Sequence, residues 1–336
     1  MSKDKKQPTF QPNFWVIVPT LNPGLEAWAK WIQALQSQNC MPMQVVVVDS
    51  GSNDGSLALS KEAGFTVLHT HAQEFNHGAT RQWALQQANI QAQANDQGLE
   101  TQLTSSDFGV FLTQDAFLAH PNALEQLLRA FEQPQVAAAY GRQLPQANAS
   151  WLESHARSFN YPDASKTVKL QDKERLGIKT CFLSNSFAAY RLLALEAQGG
   201  FPHHVPLGED TFIAAKLLLS GHSLSYQANA SVYHSHNYNW LQDFQRMFDT
   251  GVFHTQNPWL IKTFGTANRE GVKLLLSQWK SLKNQQSPNP LMGLAQMLAT
   301  NACKLLGYRL GLNYRYLPKA AVLKCSMHPY FWQQQK

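Results

Sequence analysis

A carboxylate ends an apolar run in the segment "FLTQDA", residues 111–116. The apolar residues predict a buried strand, and Asp115 follows that strand after two polar residues. Burying an unpaired charge is costly, so Asp115 needs a partner. A divalent metal ion that bridges a diphosphate would need a hard oxygen ligand at such a strand exit. The alternative role for Asp115 is a cap for the helix that starts near Asn122, but Asp115 lies several residues too early in the chain for that role.

Asp49 stands at a second strand exit and opens the polar turn "DSGSNDGS", residues 49–56. Its carboxylate could accept hydrogen bonds from a base or a ribose, while backbone N–H groups of the turn approach a phosphate. Alternatively, its Asp and Ser residues only form the turn and cap the next helix. No GxGxxG or GxxxxGK[ST] pattern is present, so neither a Rossmann dinucleotide site nor a P-loop is indicated.

Three further groups could take part in chemistry. Glu209 and Asp210 open a helix, either as a general base for a hydroxyl or as first-turn carboxylates that interact with the helix dipole. His234 and His236 point to the same side of an extended segment, where they could bind a metal or be ordinary surface or core residues. Arg81 follows a glycine at a helix start, where it suits a phosphate or simply faces solvent.

The elements that must position these residues alternate between strand and helix up to about residue 133. Buried apolar runs predict strands, and apolar residues at helical spacing predict the helices between them. This alternation predicts an α/β domain with a mainly parallel sheet, in which ligands bind beyond the carboxyl ends of the strands. Residues 89–107 and 146–180 are polar, and we expect the second segment to be a flexible loop over the site.

Composition excludes several classes of protein. The chain has 336 residues, 44% of them hydrophobic and 15% charged, which indicates a globular protein. Its four cysteines lie far apart without CxxC spacing, so a zinc site or a disulfide framework is not expected. The N-terminus has no apolar signal segment, and no run of 18 apolar residues predicts a membrane span. These features favour a reducing, cytoplasmic location.

Charge divides the chain unevenly. Residues 240–336 carry 12 Lys and Arg against 3 Asp and Glu, a net charge of +9, whereas residues 1–239 carry −3. We therefore expect a polar tail over 1–12, a domain over 13–239 that carries the candidate site residues and a basic helical region over 240–336. The basic region suggests an anionic partner, and since it lacks a nucleic-acid-reading motif, a membrane surface is favoured over nucleic acid. Packing on the catalytic core is the alternative role for these helices.

Seven segments in chain order resemble those of the GT-A-fold, family 2 inverting glycosyltransferases, and most of all the bacterial rhamnosyltransferases of O-antigen and related surface polysaccharides. They are VIVPTLN, VVDSGSNDGS, FNHGATR, FLTQDA, SNSFAAYR, GEDTF and YHSHNY. The resemblance runs from about residue 14 to about residue 332. It implies a GT-A fold, a Rossmann-like sheet flanked by helices, with a helical C-terminal extension.

The resemblance also implies roles for the polar residues. Asp210 would be the catalytic base, supported by Glu209. Asp115 would hold a divalent cation, Mg²⁺ or Mn²⁺, on the diphosphate, with His234 or His236 as a further ligand. The residues implied to bind the nucleotide sugar are Pro19, Thr20, Asn22, Asp49, Gly51, Arg81, Gln114 and Asp115.

The reaction implied is a single displacement from dTDP-β-L-rhamnose to a hydroxyl of a saccharide or lipid-linked saccharide, at the cytoplasmic face of the inner membrane. Other donors remain open, namely a UDP-hexose, a UDP-N-acetylhexosamine or UDP-galactofuranose, as does a non-catalytic sugar-nucleotide-binding partner. Two positions depart from the family. Thr113 stands where a carboxylate is usual, a form shared by the rhamnosyltransferase-like subgroup, and Gln82 stands where Asn is usual.

Overall fold

The computed structural model describes residues 12–95, 103–104, 106–266, 268–284 and 289–334. Over these residues the chain forms a mixed sheet covered by helices on both faces. Its strands are β1 (Asn13–Thr20), β2 (Gln44–Asp49), β3 (Thr66–His69), β4 (Asp107–Leu112), β5 (Phe117–Leu118), β6 (Val136–Leu144), β7 (Lys166–Val168), β8 (Phe187–Arg191) and β9 (Ser223–Tyr233).

The helices comprise those that cover the sheet and a C-terminal group. They are α1 (Leu25–Gln36), α2 (Ser56–Glu62), α3 (His77–Asn95), α4 (Ala123–Leu128), α5 (Trp151–Asn160), α6 (Lys173–Leu176), α7 (Leu192–Ala197), α8 (Glu209–Leu219), α9 (Trp240–Gln256), α10 (Pro258–Phe264), α11 (Asn268–Lys283), α12 (Pro290–Leu312), α13 (Lys319–Cys325) and α14 (Pro329–Gln334).

The sheet has the order β3-β2-β1-β4-β8-β6-β9-β5, and β7 pairs with β9. Strands β3, β2, β1 and β4 are parallel, so their carboxyl ends meet at one edge. Strand β8 runs antiparallel between β4 and β6, and β9 is parallel to β6. The α/β prediction is confirmed, but the sheet is mixed beyond β4, because β8 follows a long excursion of the chain rather than a helical crossover.

Side chains alternate across the sheet and build a core on each face. On β1, Val16 and Val18 belong to one core, and Ile17 belongs to the other. The tryptophans of α1, Trp28 and Trp31, cover the first face, where their rings stack at 4.6 Å. Helices α3, α7 and α8 cover the second face. Two buried faces explain why these strands are continuous apolar runs in the sequence.

The segment 146–180 is ordered, and its prediction as a flexible loop was wrong. It contains α5, β7 and α6. Ser150 caps α5 by accepting a hydrogen bond from the Glu153 N–H at 3.2 Å. The helix is then held against α11 by hydrogen bonds from Trp151 to Ser281 and between His155 and Ser277. Tertiary contacts order a stretch that has little apolar periodicity of its own.

The region after residue 239 is helical, as expected. Helices α9 and α12 cross closely at glycines: a Cβ on Gly251 would lie 2.4 Å from the Tyr308 carbonyl oxygen, and one on Gly311 would lie 2.0 Å from that of Phe248. Phe253 of α9 packs in the same core as the sheet, so α9 adds to the core on that face. No helix among the described residues is long and apolar enough to cross a membrane.

Two expectations fall partly outside the described residues. The predicted polar tail over 1–12 lies there except for its last residue. The stretch 89–107, predicted as a helix tail and loop, is helical up to Asn95, and residues 96–102 and 105 lie outside the described residues.

Candidate active site

The carboxyl ends of three neighbouring parallel strands meet at one edge of the sheet. Asp49 ends β2 and is buried, with a carboxylate that accepts hydrogen bonds from the N–H groups of Gly51 and Ser52 at 2.8 and 2.9 Å. The hydroxyl of Thr20, at the end of β1 beside Pro19, donates to the same carboxylate at 3.4 Å. Asp49 therefore shapes the turn that follows β2, the role that the sequence left open beside nucleotide binding.

Gln114 ties the exit of β4 to the exit of β1. Its side-chain oxygen accepts from the Leu21 N–H at 2.7 Å, and its side-chain nitrogen donates to the Leu21 carbonyl at 3.2 Å. The neighbouring Asn22 has a φ of 44° and accepts from the Asn53 N–H at 2.9 Å. These bonds link the predicted nucleotide-sugar residues at the ends of β1, β2 and β4 into one hydrogen-bonded rim at the edge of the sheet.

Asp115, His234 and His236 form one cluster, although about 120 residues separate the carboxylate from the histidines. Asp115 Oδ1 lies 3.3 Å from His234 Nε2, and Oδ2 lies 3.4 Å from His236 Nδ1. The pairing follows from the sheet, because β5, just after Asp115, pairs with the end of β9, just before His234. The three ligand atoms lie within 4.8 Å of one another, an arrangement that one divalent ion fits.

The protonation of this cluster favours metal binding. Burial alone would raise the pKa of Asp115, but the hydrogen bond and charge of His234 outweigh burial and hold that pKa well below its usual range. Burial and the neighbouring His234 lower the pKa of His236 to about 4, so its ring is neutral at pH 7. One carboxylate and two imidazole nitrogens suit a transition-metal ion such as Mn²⁺ better than Mg²⁺, which prefers oxygen ligands.

Gln143 of β6 orients His234. Its side-chain oxygen lies 2.9 Å from His234 Nδ1 and also accepts a hydrogen bond from the Arg157 guanidinium, which can only donate. Its side-chain nitrogen donates to the Ser184 hydroxyl at 3.0 Å. With an oxygen facing Nδ1, His234 donates there. Its Nε2 faces Asp115 and is the nitrogen that would bind a metal ion.

Glu209 and Asp210 follow Gly208 at the start of α8, and the structure separates their roles. Glu209 is buried and pairs with the Arg81 guanidinium at 3.0 Å. The side chain of Asn185 donates to the same Glu209 oxygen at 3.0 Å. The Arg81 charge and the hydrogen bond from Asn185 hold the pKa of Glu209 below its usual value against the effect of burial, so Glu209 is charged.

The local sequence explains how Arg81 reaches Glu209. Asn76 caps α3 by accepting from the N–H groups of Gly78 and Ala79, and its side chain also donates to the Val205 carbonyl at 3.1 Å. Gly78 allows the close approach, because a Cβ there would lie 1.8 Å from the Pro202 carbonyl oxygen. Arg81, predicted to lie near the diphosphate, is thus a buried partner of Glu209.

Asp210 has no cationic partner among the described residues. Its carboxylate accepts from the N–H of Thr211 at 2.7 Å and, weakly, from that of Asn185 at 3.4 Å. Burial and the adjacent charge of Glu209 raise its pKa to about 7. A half-buried carboxyl group with such a pKa can take a proton from a hydroxyl and later release it near neutral pH.

The C-terminal segment reaches this site. Asp249 of α9 accepts from the Met327 N–H at 2.9 Å, and the next residue, His328, lies edge to face on His77 with ring centroids 4.9 Å apart. Burial and the contact with His328 lower the pKa of His77 to about 3. A neutral histidine pair therefore closes the site behind Arg81.

Sequence reasoning assigned no role to Gln143, Asn185 or His328. Asn185 lies in a quoted motif, "SNSFAAYR", which marked the segment without identifying the residue. Gln143 lies 91 residues before His234, and no local pattern links the two.

Comparison with known proteins decides the family. A model of the family "Glycosyl transferase family 2" matches residues 15–198, more than half of the chain. This chain belongs to glycosyl transferase family 2. It is 42% identical to the O-antigen chain rhamnosyltransferase WbaN of Salmonella anatum, over 96% of both proteins. It is also 39% identical to the O-antigen chain rhamnosyltransferase RfbN of Salmonella typhimurium, over 94% of this chain and 95% of that protein.

A solved structure agrees on the fold of this glycosyltransferase. The mannosyltransferase PcManGT from Pyrobaculum calidifontis, in complex with GDP-Man and Mn²⁺, superimposes with a TM-score of 0.56 at 18% identity. The match covers 98% of this chain and 90% of PcManGT. The likeness extends through the helical C-terminal region, so the GT-A-like fold with its helical extension is confirmed.

Proposed function

We propose that this glycosyltransferase moves L-rhamnose from dTDP-β-L-rhamnose to a hydroxyl of a saccharide or lipid-linked saccharide, with inversion at the anomeric carbon. The observation that carries the chemistry is the state of Asp210. Asp210 is half-buried and forms no ion pair among the described residues. Its pKa is raised to about 7, which suits a general base that acts near neutral pH. The donor is inferred from the two relatives named rhamnosyltransferases, which match nearly the whole chain.

In this mechanism Asp210 takes the proton of the acceptor hydroxyl, whose oxygen attacks the anomeric carbon as the bond to the diphosphate breaks. The charge of Glu209 keeps Asp210 basic enough to accept that proton, and Arg81 and Asn185 hold Glu209 in place. The rim formed by Thr20, Asp49 and Gln114 would bind the nucleotide through the turn that follows β2.

Asp115, His234 and His236 are the residues proposed to hold a divalent ion. When bound, the ion would offset the negative charge of the leaving diphosphate. In this proposed ligand set two histidines accompany a single carboxylate, and Thr113 supplies no ligand. The mixed oxygen and nitrogen ligands favour Mn²⁺ over Mg²⁺.

We further propose that the catalytic domain spans 13–239 and that the basic region over 240–336 contacts an anionic membrane at the cytoplasmic face. Helix α12 exposes Leu291, Leu298 and Leu305 at heptad spacing, and α11 exposes Val272, Leu276 and Trp279. The acidic residues described in this region are few and already engaged: Asp243 pairs with Lys304, Glu270 pairs with Lys179 and Lys273, and Asp249 is buried. Apolar stripes beside unpaired cations suit the interface of an anionic bilayer.

The test is a transfer assay with purified full-length protein, Mn²⁺ and lipid-linked saccharides extracted from the membranes of the source organism. Rhamnose transfer from dTDP-rhamnose, absent with UDP-glucose, UDP-N-acetylglucosamine and UDP-galactofuranose, would support the proposal. Transfer from one of the UDP-sugars instead would replace the donor. Tight binding of dTDP-rhamnose without transfer to any of these acceptors would favour a non-catalytic sugar-nucleotide-binding protein.

A further inference from the structure

A cavity of about 360 Å³ lies between the metal-ligand cluster and the C-terminal helices. Its walls come from the start of α5, the segment 236–239 that precedes α9, the first turn of α9, and the facing sides of α11 and α12. Its volume is in the range of small-molecule sites, about 300–1,000 Å³, and such sites favour junctions of this kind. None of the residues assigned above to the nucleotide sugar lines it.

One wall joins the cavity to the reaction centre. His236 faces Asp115 through Nδ1, and the face of its ring stacks on Tyr238 at 4.8 Å with an interplanar angle of 13°. Both residues line the cavity. A ligand against Tyr238 is therefore one side chain away from the proposed metal ligands, close enough to be continuous with a molecule whose end reaches the donor.

The cavity has no free charge to offer among its described lining residues. Asp243 is paired with Lys304 at 3.2 Å, and Glu153 is paired with Arg157 at 2.6 Å. A phosphate or a carboxylate would find no available cation, and a cation would find no available carboxylate. This neutrality argues against a second nucleotide site.

What the cavity does offer is aromatic surface and amide groups. Trp240 lies on the wall and is 55% exposed, and Tyr238, whose ring stacks on His236, also lines the cavity. Gln278 is 3% exposed, and its side-chain oxygen accepts from Asn301 at 2.8 Å, which leaves its side-chain N–H donors without a partner among the described residues. The amide nitrogen of Gln278 on the cavity wall can therefore donate to a ligand.

We propose that this cavity binds a neutral sugar unit of the acceptor. Aromatic rings pack on the C–H face of a pyranose, and amides and hydroxyls pair with its hydroxyl groups. This assignment rests on the proposed function only in naming the sugar as part of the acceptor. Gln278 and Gln296 of the cavity wall lie on α11 and α12, the two helices that carry the exposed apolar stripes. A lipid attached to the bound sugar would therefore extend from the cavity over these stripes.

The experiment is saturation-transfer NMR on the full chain with the methyl glycosides of glucose, galactose, mannose, rhamnose and N-acetylglucosamine. All samples contain Mn²⁺ and dTDP to fill the nucleotide site. The expected result is a signal from at least one glycoside with the wild-type protein, reduced at least fivefold in Trp240→Ala and in Gln278→Leu. The matched control Tyr316→Ala removes a ring that is 88% exposed away from the cavity and should leave the signal unchanged.

Calorimetry with dTDP-rhamnose on the same variants separates this site from the donor site. Donor affinity within twofold of wild type, together with loss of the glycoside signal, supports the proposal. Absence of any glycoside signal from the wild type, or equal signals from the wild type and both cavity variants, overturns it. A wild type that retains a Trp240-dependent glycoside signal but does not bind dTDP-rhamnose overturns the proposed donor and leaves the saccharide site standing.

Discussion

The side-chain oxygen of Gln143 lies 2.9 Å from Nδ1 of His234, on the opposite side of the ring from Asp115. Arg157 donates to the same oxygen and so fixes which end of the amide faces the histidine. One hydrogen bond therefore sets the tautomer of a proposed metal ligand, the arrangement that commonly supports metal-binding histidines.

Replacing Gln143 with Leu should weaken Mn²⁺ binding by about 10–100-fold, because His234 loses the acceptor that keeps its proton on Nδ1. Electron paramagnetic resonance of free Mn²⁺ during titration measures this affinity without turnover. Gln143→Glu keeps an acceptor and should retain most of the affinity. Gln227→Leu, which removes an amide that donates to the Ser225 hydroxyl on β9, is the control. Equal Mn²⁺ affinity in wild type and Gln143→Leu would contradict the prediction.

Asp210→Asn should lower kcat by about 10²–10⁴-fold and leave donor affinity unchanged, since it removes the base and little of the binding surface. Steady-state transfer kinetics and calorimetry with dTDP-rhamnose provide the two measurements. Asp163→Asn, a change at an exposed carboxylate, should behave as wild type. If Asp210→Asn keeps more than a tenth of the wild-type kcat, another group is the base.

The pH profile should follow the ionisation of Asp210. Its pKa is raised to about 7, and the base acts only when deprotonated, so kcat should fall as the pH drops through 7. In Glu209→Gln the neighbouring negative charge is absent and the Arg81 charge is no longer offset, and both effects lower the pKa of Asp210. The acid limb of the profile should therefore move to lower pH. If the acid limb of the Glu209→Gln profile lies at the same pH as that of the wild type, the limb does not report the ionisation of Asp210.

Arg81→Met should destabilise the fold by about 3–5 kcal/mol, because Glu209 is left charged and unpaired in a buried position. Urea denaturation measures this free energy of unfolding. The control, Arg129→Met, breaks an exposed pair with Glu125 and should cost about 0–1 kcal/mol. Calorimetry on folded Arg81→Met should show donor affinity close to wild type. A large loss of donor affinity with little loss of stability would indicate that Arg81 binds the diphosphate of the donor instead.

Changing Leu291, Leu298 and Leu305 together to Glu should abolish cosedimentation with phosphatidylglycerol vesicles, because it places three negative charges on the exposed stripe of α12. The control Met41→Glu/Met43→Glu alters two exposed methionines of the catalytic domain and should still cosediment. Phosphatidylcholine vesicles should bind less of the wild-type protein. If gel filtration shows a dimer that only the α12 variant disrupts, and vesicle binding is unchanged, the stripe joins two copies instead.

Much of the parallel half of the fold was predictable, because β1, β2 and β4 are buried on both faces and stand out as apolar runs. The order in which strands pair beyond β4 was not. Strand β8 inserts between β4 and β6, and no local pattern encodes that pairing. Helix α5 was also missed, since its order depends on α11, more than a hundred residues later.

The sequence by itself determined the family, the set of chemical groups and their placement at strand exits and helix starts, because these depend on local apolar spacing and on motifs in order. Only the tertiary structure decided how those groups divide the work. It placed both histidines on Asp115 and put Arg81 on Glu209, so that within the Glu209–Asp210 pair Asp210 is left without a cationic partner among the described residues. It also gave His234 its orientation through Gln143. Charge pairing and hydrogen bonding across the sheet depend on distances of a few ångströms between residues remote in sequence. Those distances are set by the folded chain and cannot be read from a local sequence pattern.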